Sequence, residues 1–332
     1  MVPRPWTLLG LPPLDRDVLA RLLDGIPVQL VVPAERSAEA VQEAASVAEL
    51  VLGDWTGGLG VTADTVAAAP RLAFVHQPSA GVDSIDVQAC AAAGVPVANA
   101  GSSNSVSVAE WCLGATFAVL RWLGYADREM RAGGWPQFEI AERGGGELAG
   151  RRVGIVGMGR IGRECAVRFA ALGCDVAYWS RTRRDPADAG GATWMPLDEL
   201  LRRSDVLVVV IALAAQTVGL LGAAELTLLP PGAFLVDAAR GGIVDEDALL
   251  GALGTGALAG AALDVYTAEP LSLSSPLRTN DRVLLSPHAA GATRQAQARV
   301  VAGMVDNLRR ATSGEPVLDV INGVPALIQR RA

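Results

Sequence analysis

The sequence lacks lysine and is poor in the side chains that most often carry catalysis. All 28 basic residues are arginine, and the 332 residues include only two histidines and four cysteines. Without lysine, Schiff-base chemistry, pyridoxal-phosphate attachment and a Walker A nucleotide site are excluded. Any acid–base chemistry that needs an imidazole must therefore use His76 or His288.

The four cysteines show no spacing typical of a metal site or a redox pair. They are Cys90, Cys112, Cys165 and Cys174, each in an apolar stretch with the pattern of a helix or a strand. We therefore expect buried thiols, a reducing cytoplasmic location and no bound metal.

Charge and hydropathy limit the expected partners. The net charge of −7 argues against nucleic acid as a partner. Charged residues or glycines interrupt every apolar run before it reaches the length of a membrane span, and prolines break the short apolar N-terminus. We expect neither a membrane partner nor a signal peptide.

Apolar residues are abundant and occur in an alternating order of strands and helices. They make up 51% of the chain, and its length suggests two domains. In residues 1–103, helices are predicted at 14–23 and 86–93, among strands at 6–9, 28–32, 50–52, 72–76 and 95–99. This alternation predicts a parallel sheet with helices on both faces.

A glycine-rich turn lies near the middle of the chain. A predicted strand at 152–156 is followed by Gly157, Gly159 and Gly162, then by an amphipathic helix to residue 172 and a strand at 175–180. In such a turn the glycines permit a tight bend, the approach of a pyrophosphate and close packing of the helix. Because the flanking strand and helix are present, the spacing strongly predicts a dinucleotide site. The predicted dinucleotide site comprises these three glycines together with Met158, Arg160 and Ile161.

The end of the second strand bears on which dinucleotide binds. NAD sites usually carry Asp or Glu there to hold the ribose 2′-hydroxyl, but residues 176–184 contain no acid. Ser180, Arg181 and Thr182 stand there instead, followed by two more arginines. Since this charge would accept a 2′-phosphate, we expect NADP in preference to NAD. The alternative interpretation is a solvated arginine cluster.

The alternation continues on both sides of this unit. A long apolar helix at 104–123 is predicted to connect the two halves. Further helices are predicted at 197–203, 245–251 and 294–310, and strands at 205–213, 232–238, 258–264 and 283–285. A loop and short strand at 314–322 are expected to return to the first half.

Four polar residues follow strands of the second half. They are Arg240, Asp264, Glu269 and His288. Because the carboxyl ends of parallel strands share one edge, where a nicotinamide would lie, we expect these side chains to form a catalytic set. Reduction of a carbonyl builds negative charge on oxygen, so an imidazole can serve as proton donor. A neighbouring carboxylate would orient the ring, and an arginine could grip a substrate carboxylate.

Candidate substrate residues follow strands of the first half. Trp55 and the turn Ser79, Ala80 and Gly81 come after two predicted strands, where backbone N–H groups could bind a carboxylate. A plain strand-to-helix turn is an equal alternative. His76 ends a strand, and we expect a histidine satisfied by hydrogen bonds rather than a catalyst.

These motifs together resemble the D-isomer-specific 2-hydroxyacid dehydrogenases, which include glyoxylate/hydroxypyruvate reductases and phosphoglycerate, formate and phosphite dehydrogenases. The similarity runs across nearly the whole chain, in segments 79–86, 107–110, 157–162, 237–242, 264–271 and 286–288. The ordered set Arg240, Glu269 and His288 is more specific than any single motif.

The resemblance implies roles and an architecture. Arg240 would bind substrate, Glu269 would pair with His288, the acid–base group, and cofactor contacts would include Thr217, Ala238 and Asp264. The fold would comprise a flavodoxin-like substrate domain, residues 1–103 plus 293–332, and a Rossmann nucleotide domain, residues 104–292, with a cleft between. Homodimerisation through the nucleotide domain is usual in this family.

Departures from the family pattern decide between alternatives. The segment after Ile211 reads Ala212 to Thr217, where the family usually has P-L-T-x-x-T. Formate dehydrogenases pair the histidine with glutamine, and phosphite dehydrogenases carry lysine at the position of Ala80. Glu269 thus favours a reductase acting on a small 2-oxo acid. The remaining alternatives are an NAD-dependent formate- or phosphite-type oxidation, and a corepressor-like dinucleotide sensor.

Overall fold

The computed structural model describes residues 4–331, which form two compact units. Unit 1 contains residues 4–104 and 294–331, and unit 2 contains Ser105–Thr293. Each unit is built on its own parallel sheet.

Unit 1 has a five-stranded sheet in the order β2-β1-β3-β4-β5. Its strands are β1 (Trp6–Gly10), β2 (Val28–Val31), β3 (Leu50–Leu52), β4 (Phe74–His76) and β5 (Val97–Ala98), and the helices between them are α1 (Arg16–Leu22), α2 (Ala38–Ala45), α3 (Ala63–Ala68) and α4 (Val87–Ala92). Alternate strand residues enter two separate cores. Leu50 packs in one and Val51 in the other, as expected for a sheet covered on both faces.

Unit 2 has a seven-stranded sheet in the order β12-β11-β10-β9-β6-β7-β8. Its strands are β6 (Arg152–Val156), β7 (Asp175–Trp179), β8 (Thr193–Trp194), β9 (Val206–Val209), β10 (Ala233–Asp237), β11 (Leu258–Leu263) and β12 (Val283–Leu285). Its helices are α5 (Ser105–Leu120), α6 (Leu123–Arg131), α7 (Gln137–Glu142), α8 (Arg160–Ala171), α9 (Leu197–Arg203), α10 (Ala223–Leu226) and α11 (Glu246–Thr255). The strand order reverses between β6 and β9, which is where open α/β sheets bind ligands.

The chain returns to unit 1 as α12 (Arg294–Ser313). Met304 and Leu308 of this helix pack in the same core as Leu50. Val320 then bridges to Ala98 of β5 in antiparallel fashion, so the C-terminal segment lies beside the edge strand of the unit 1 sheet.

The sequence-based prediction of two doubly wound parallel sheets is confirmed. The bounds of β3, β6, α9 and β12 agree with prediction, and most other predicted elements differ by one to three residues at an end. The helices and strand that the patterns missed are short or polar: α2, α3, α6, α7, α10 and β8.

The prediction of one helix over 104–123 was wrong about its end. Helix α5 ends at Leu120, and α6 begins at Leu123 with a bend of 63° between them. Trp122 lies in the left-handed region at φ 54°, which a continuous α-helix cannot contain. Within residues 4–331, no single helix has the length and apolarity to cross a bilayer, and only α5 and α6 taken as a bent pair would pass, by length and composition alone.

Two other expectations need correction. The predicted strand over 205–213 is limited to β9, because the chain beyond Val209 packs against the glycine-rich turn: a carbon added to Gly157 would lie 2.8 Å from Ile211 Cα. Cys174 lies in the turn between α8 and β7 and is only partly buried, unlike the other three cysteines.

Candidate active site

The glycine-rich turn joins β6 to α8 at the carboxyl edge of the unit 2 sheet. Gly157 has φ +106°, and a Cβ on Gly162 would lie 2.0 Å from the Gly157 carbonyl oxygen, so neither position tolerates a side chain. A Cβ on Gly159, by contrast, would meet no described atom within 4 Å, which leaves the backbone open to a ligand. Helix α8 begins at Arg160, and its N-cap residue, Gly159, has no side chain with which to cap the helix. These features fit the pyrophosphate of a dinucleotide.

The loop after β7 is connected to this turn. Arg184 Nε donates to the Met158 carbonyl at 3.3 Å, and the Ser180 hydroxyl donates to the Thr182 carbonyl at 2.7 Å. Trp194 Nε1 donates to the Ser180 carbonyl at 3.2 Å. Arg181 and Thr182 are exposed. The loop therefore lies beside the phosphate turn and presents positive charge to solvent.

His288 and Glu269 form a hydrogen-bonded pair. His288 Nδ1 lies 2.8 Å from Glu269 Oε2, and both side chains are partly exposed. Glu269 follows β11 and His288 follows β12, which is the neighbouring strand. His288 has a left-handed backbone at φ 51°, a conformation that non-glycine residues adopt mainly where the surrounding structure enforces it.

Asp264 holds the segment that carries His288. The Asp264 carboxylate is buried and accepts the Ser286 hydroxyl at 2.5 Å and the backbone N–H groups of Ala289 and Ala290, both at 2.8 Å. Its backbone carbonyl accepts the His288 N–H at 2.8 Å. The Asp264 carboxylate thus holds the protein segment 286–290.

Arg240 lies three residues after β10, the strand next to β11. Its Nη1 donates to the Ala239 carbonyl at 2.7 Å. The turn before it is fixed by Asp237, whose Oδ1 accepts the Ala239 N–H at 2.9 Å. Burial raises the pKa of Asp237 to about 7, and the negative charges of Asp264 and Glu246 add to this effect. Arg240, Glu269 and His288 therefore follow three neighbouring strands of one sheet.

Two further residues expected to contact the cofactor lie at the same edge. Ala238 directly follows β10, and its N–H donates to the Val209 carbonyl at 3.1 Å. Thr217 is buried, and its hydroxyl oxygen accepts the Ala214 N–H at 2.7 Å. Thr217 thereby shapes its own loop.

The candidate substrate residues of unit 1 follow two adjacent strands. Trp55 comes after β3, and Ser79, Ala80 and Gly81 come after β4, so both segments lie at the carboxyl edge of the unit 1 sheet. The Ser79 hydroxyl donates to the Gly81 carbonyl at 2.7 Å. Trp55 is exposed.

His76 ends β4, and only one of its two ring nitrogens has a hydrogen-bond partner among the described residues, contrary to the sequence-based expectation. Its Nδ1 lies 3.3 Å from Asn307 Nδ2, but its buried Nε2 has no hydrogen-bond partner within residues 4–331. Burial lowers the pKa of His76 to about 4, against an opposing effect of the Asp319 carboxylate.

The sequence patterns missed several residues that shape these edges. In unit 1 the buried Asp54 accepts the Thr56 and Leu59 N–H groups and Arg36 Nη2, at 2.8, 3.0 and 2.5 Å, and so fixes the loop that carries Trp55. An acid two residues after a strand and just before a glycine-rich loop was the available signal. In unit 2 the missed residues are Asp237 and Ser286, both inside motifs that were recognised for other positions.

The chain is similar to known proteins both in sequence and in structure. Residues 113–290 match the family model described as D-isomer specific 2-hydroxyacid dehydrogenase, NAD binding domain. A glyoxylate reductase of Aeropyrum pernix is 36% identical over 267 residues, covering 79% of this chain and 80% of that protein. The holo form of D-mandelate dehydrogenase from Rhodotorula graminis has a TM-score of 0.89 at 26% identity, covering 98% of this chain and all of that chain (100%).

A second group of relatives is longer than this chain. A D-3-phosphoglycerate dehydrogenase of Archaeoglobus fulgidus is 37% identical over 263 residues, which is 79% of this chain but 49% of that protein. The chain thus spans about half the length of the phosphoglycerate dehydrogenases that it matches. The matched family model covers more than half of the chain, including the glycine turn and the His288–Glu269 pair. The chain therefore belongs to the D-isomer-specific 2-hydroxyacid dehydrogenase family.

Proposed function

We propose that the chain is an enzyme that reversibly reduces a small 2-oxo acid to the D-2-hydroxy acid with a nicotinamide dinucleotide. The observation that carries this proposal is the 2.8 Å contact between His288 Nδ1 and Glu269 Oε2, at the edge of the sheet that also bears the glycine-rich turn. Family membership supports the reaction class.

His288 is the proposed acid–base group. Because Glu269 engages Nδ1, the other ring nitrogen, Nε2, is the one that protonates the substrate oxygen. When bound, the reduced nicotinamide supplies the hydride to the carbonyl carbon. One 2-oxo acid, one reduced cofactor and one proton then give one 2-hydroxy acid and one oxidised cofactor. Glu269 orients the ring and stabilises the charge that the ring carries before proton transfer.

Arg240 is the proposed substrate-binding group of unit 2. A guanidinium presents its N–H donors in a planar fork that matches a carboxylate, and its charge would polarise the adjacent carbonyl. Trp55 and the turn Ser79, Ala80 and Gly81 are the proposed substrate-binding residues of unit 1.

The proposed cofactor is NADPH in preference to NADH. The exposed side chains of Arg181 and Thr182 lie in a loop that Arg184 ties to the glycine-rich turn, and no acid follows β7 within residues 180–184. A 2′-phosphate would therefore meet positive charge, whereas a 2′-hydroxyl would lack its usual carboxylate partner.

The proposed assembly is a homodimer formed through unit 2. Besides the family resemblance, this proposal is supported by two large aromatic side chains that unit 2 exposes around α7. Trp135 is 73% exposed and Phe138 is 76% exposed, an unusual state for such large apolar residues unless a partner covers them.

Initial rates with glyoxylate, hydroxypyruvate and phenylpyruvate test the proposed reaction and the cofactor preference. We expect turnover of at least one 2-oxo acid to a D-2-hydroxy acid, faster with NADPH than with NADH. His288→Gln should lower kcat by roughly 10²–10⁴-fold, the usual contribution of a positioned acid. His76→Gln is the matched control, because it makes the same change at the other histidine, and it should keep kcat within a few-fold.

Three results would contradict the proposal. Tight NADPH binding without turnover of any 2-oxo acid would indicate a dinucleotide sensor. Oxidation of formate or phosphite with NAD in place of 2-oxo acid reduction would indicate the rival dehydrogenase chemistry. Equal kcat in His288→Gln and His76→Gln would remove His288 from the mechanism.

A further inference from the structure

Tyr266 contacts both segments that form the His288–Glu269 pair. It lies three residues after the end of β11 and is buried. Its backbone N–H donates to Glu269 Oε1 at 3.0 Å. Because this bond holds Oε1, the carboxylate is fixed with its other oxygen, Oε2, towards His288 Nδ1.

The phenol of Tyr266 reaches the other segment. Its hydroxyl lies 2.9 Å from the Ser286 carbonyl oxygen and 3.1 Å from the Leu263 carbonyl oxygen. Ser286 precedes His288 by two residues, and Leu263 is the last residue of β11. One hydroxyl therefore ties the chain entering the His288 segment to the end of the neighbouring strand.

The backbone of Tyr266 also lies against the chain that leaves Arg240. A Cβ on Gly241 would be 1.8 Å from the Tyr266 carbonyl oxygen, so the two backbones are in direct contact. The same residue thus adjoins the segments of Arg240, Glu269 and His288, which are separated by up to 48 positions in the sequence.

We propose that Tyr266 is a positioning residue for the reaction proposed above, and that its hydroxyl keeps the His288 ring aligned with Glu269 for proton transfer. This inference rests on the proposed function. His288 needs such support because its left-handed backbone is one that a free segment would rarely adopt. Burial raises the pKa of Tyr266 to about 12, so the hydroxyl stays protonated and able to donate throughout the neutral range.

Tyr266→Phe tests the proposal, since it removes the hydroxyl and keeps the ring and the backbone contacts. We expect kcat to fall roughly tenfold, because a small displacement of a reacting group is costly, with the cofactor Kd unchanged within about twofold. The solvent deuterium isotope effect on kcat should rise as proton transfer becomes slower. Tyr125→Phe, the same change on α6, is the control and should leave these values unaltered. Assays at saturating NADPH stabilise the folded state of every variant.

A double-mutant comparison separates positioning from general loss of structure. If Tyr266 acts through His288, adding Tyr266→Phe to His288→Gln should change the residual rate less than twofold. An equal fold loss in both backgrounds, an unchanged kcat in Tyr266→Phe, or a parallel weakening of cofactor binding would each overturn the inference. Absence of turnover in the unaltered protein would refute the proposed function first, and the inference with it.

Discussion

His76 illustrates how one buried side chain couples folding to pH. Its ring lies at the end of β4, where Nδ1 is within hydrogen-bond distance of Asn307 and Nε2 has no hydrogen-bond partner in the part of the chain that the structure describes. Burial lowers the pKa of His76 to about 4, from an ordinary value of 6.5. The folded state therefore keeps the ring neutral at a pH where the unfolded chain protonates it.

The free energy of unfolding should consequently fall between pH 6.5 and pH 4. Above pH 6.5 neither state binds the proton, and below pH 4 both do, so the loss of stability is confined to this window. The difference between a pKa of 6.5 in the unfolded chain and about 4 in the folded one corresponds to a loss of up to about 3 kcal/mol. Urea unfolding at pH 7.5, 6.5, 5.5 and 4.5 measures it, and His76→Gln should show a flatter dependence than the unaltered protein. Parallel curves for the two proteins would show that His76 is not the responsible group.

At the scale of elements, the contact between β6 and α8 depends on glycine, because a larger residue would not fit between them. Gly162 lies one turn into α8, directly against the Gly157 carbonyl oxygen. Gly251 of α11 is also a helical glycine, but a Cβ there would meet no described atom within 4 Å. Helices α8 and α11 thus each contain a glycine, but only the glycine of α8 is required by close packing.

Gly162→Ala should therefore lower the free energy of unfolding by roughly 1–3 kcal/mol, the usual cost of overpacking, and weaken NADPH binding. Gly251→Ala should instead be neutral or stabilise the chain by about 0.5–1 kcal/mol, because alanine is the better helix former. Urea unfolding and NADPH titration of both variants measure these effects. Similar results for the two variants would mean that the β6–α8 contact is looser than the 2.0 Å between an added Gly162 Cβ and the Gly157 carbonyl oxygen implies.

At the scale of the whole molecule, the exposed aromatic residues around α7 bear on the proposed assembly. Trp135 and Phe138 belong to unit 2 and are far more exposed than the other aromatic residues of that unit. The proposed homodimer would bury them and so remove apolar surface from water.

Light scattering coupled to size exclusion should give a mass of about twice 34.3 kDa. The double variant Trp135→Ser, Phe138→Ser should dissociate at micromolar concentration because it loses apolar area that the partner covers. Leu273→Ser removes another exposed apolar side chain of unit 2, one that is 90% exposed, and should keep the dimeric mass. A monomeric mass for the unaltered protein would contradict the proposed assembly.

Several features were predictable because they are local in the sequence. The bounds of β6 follow from an apolar run that ends at Gly157, and the glycine spacing requires a turn between that strand and a helix. The placement of Arg240, Glu269 and His288 after strands was also predictable, since parallel strands place their carboxyl ends at one edge. The break at Trp122 was not, because the apolar pattern continues through it.

The sequence by itself determined the two parallel sheets, the glycine-rich turn and the order of the polar residues, because strand period and glycine requirements act over a few neighbouring residues. Only the tertiary structure decided which side chains hold the segments that carry these polar residues. The Asp264 carboxylate binds a segment more than twenty positions away. The Tyr266 hydroxyl, after β11, lies within hydrogen-bond distance of the carbonyl oxygen of Ser286, after β12. Likewise, Nε2 of His76 lacks a partner within residues 4–331 because of what packs around it. Such contacts join residues that are distant in the chain, and no periodic pattern records them.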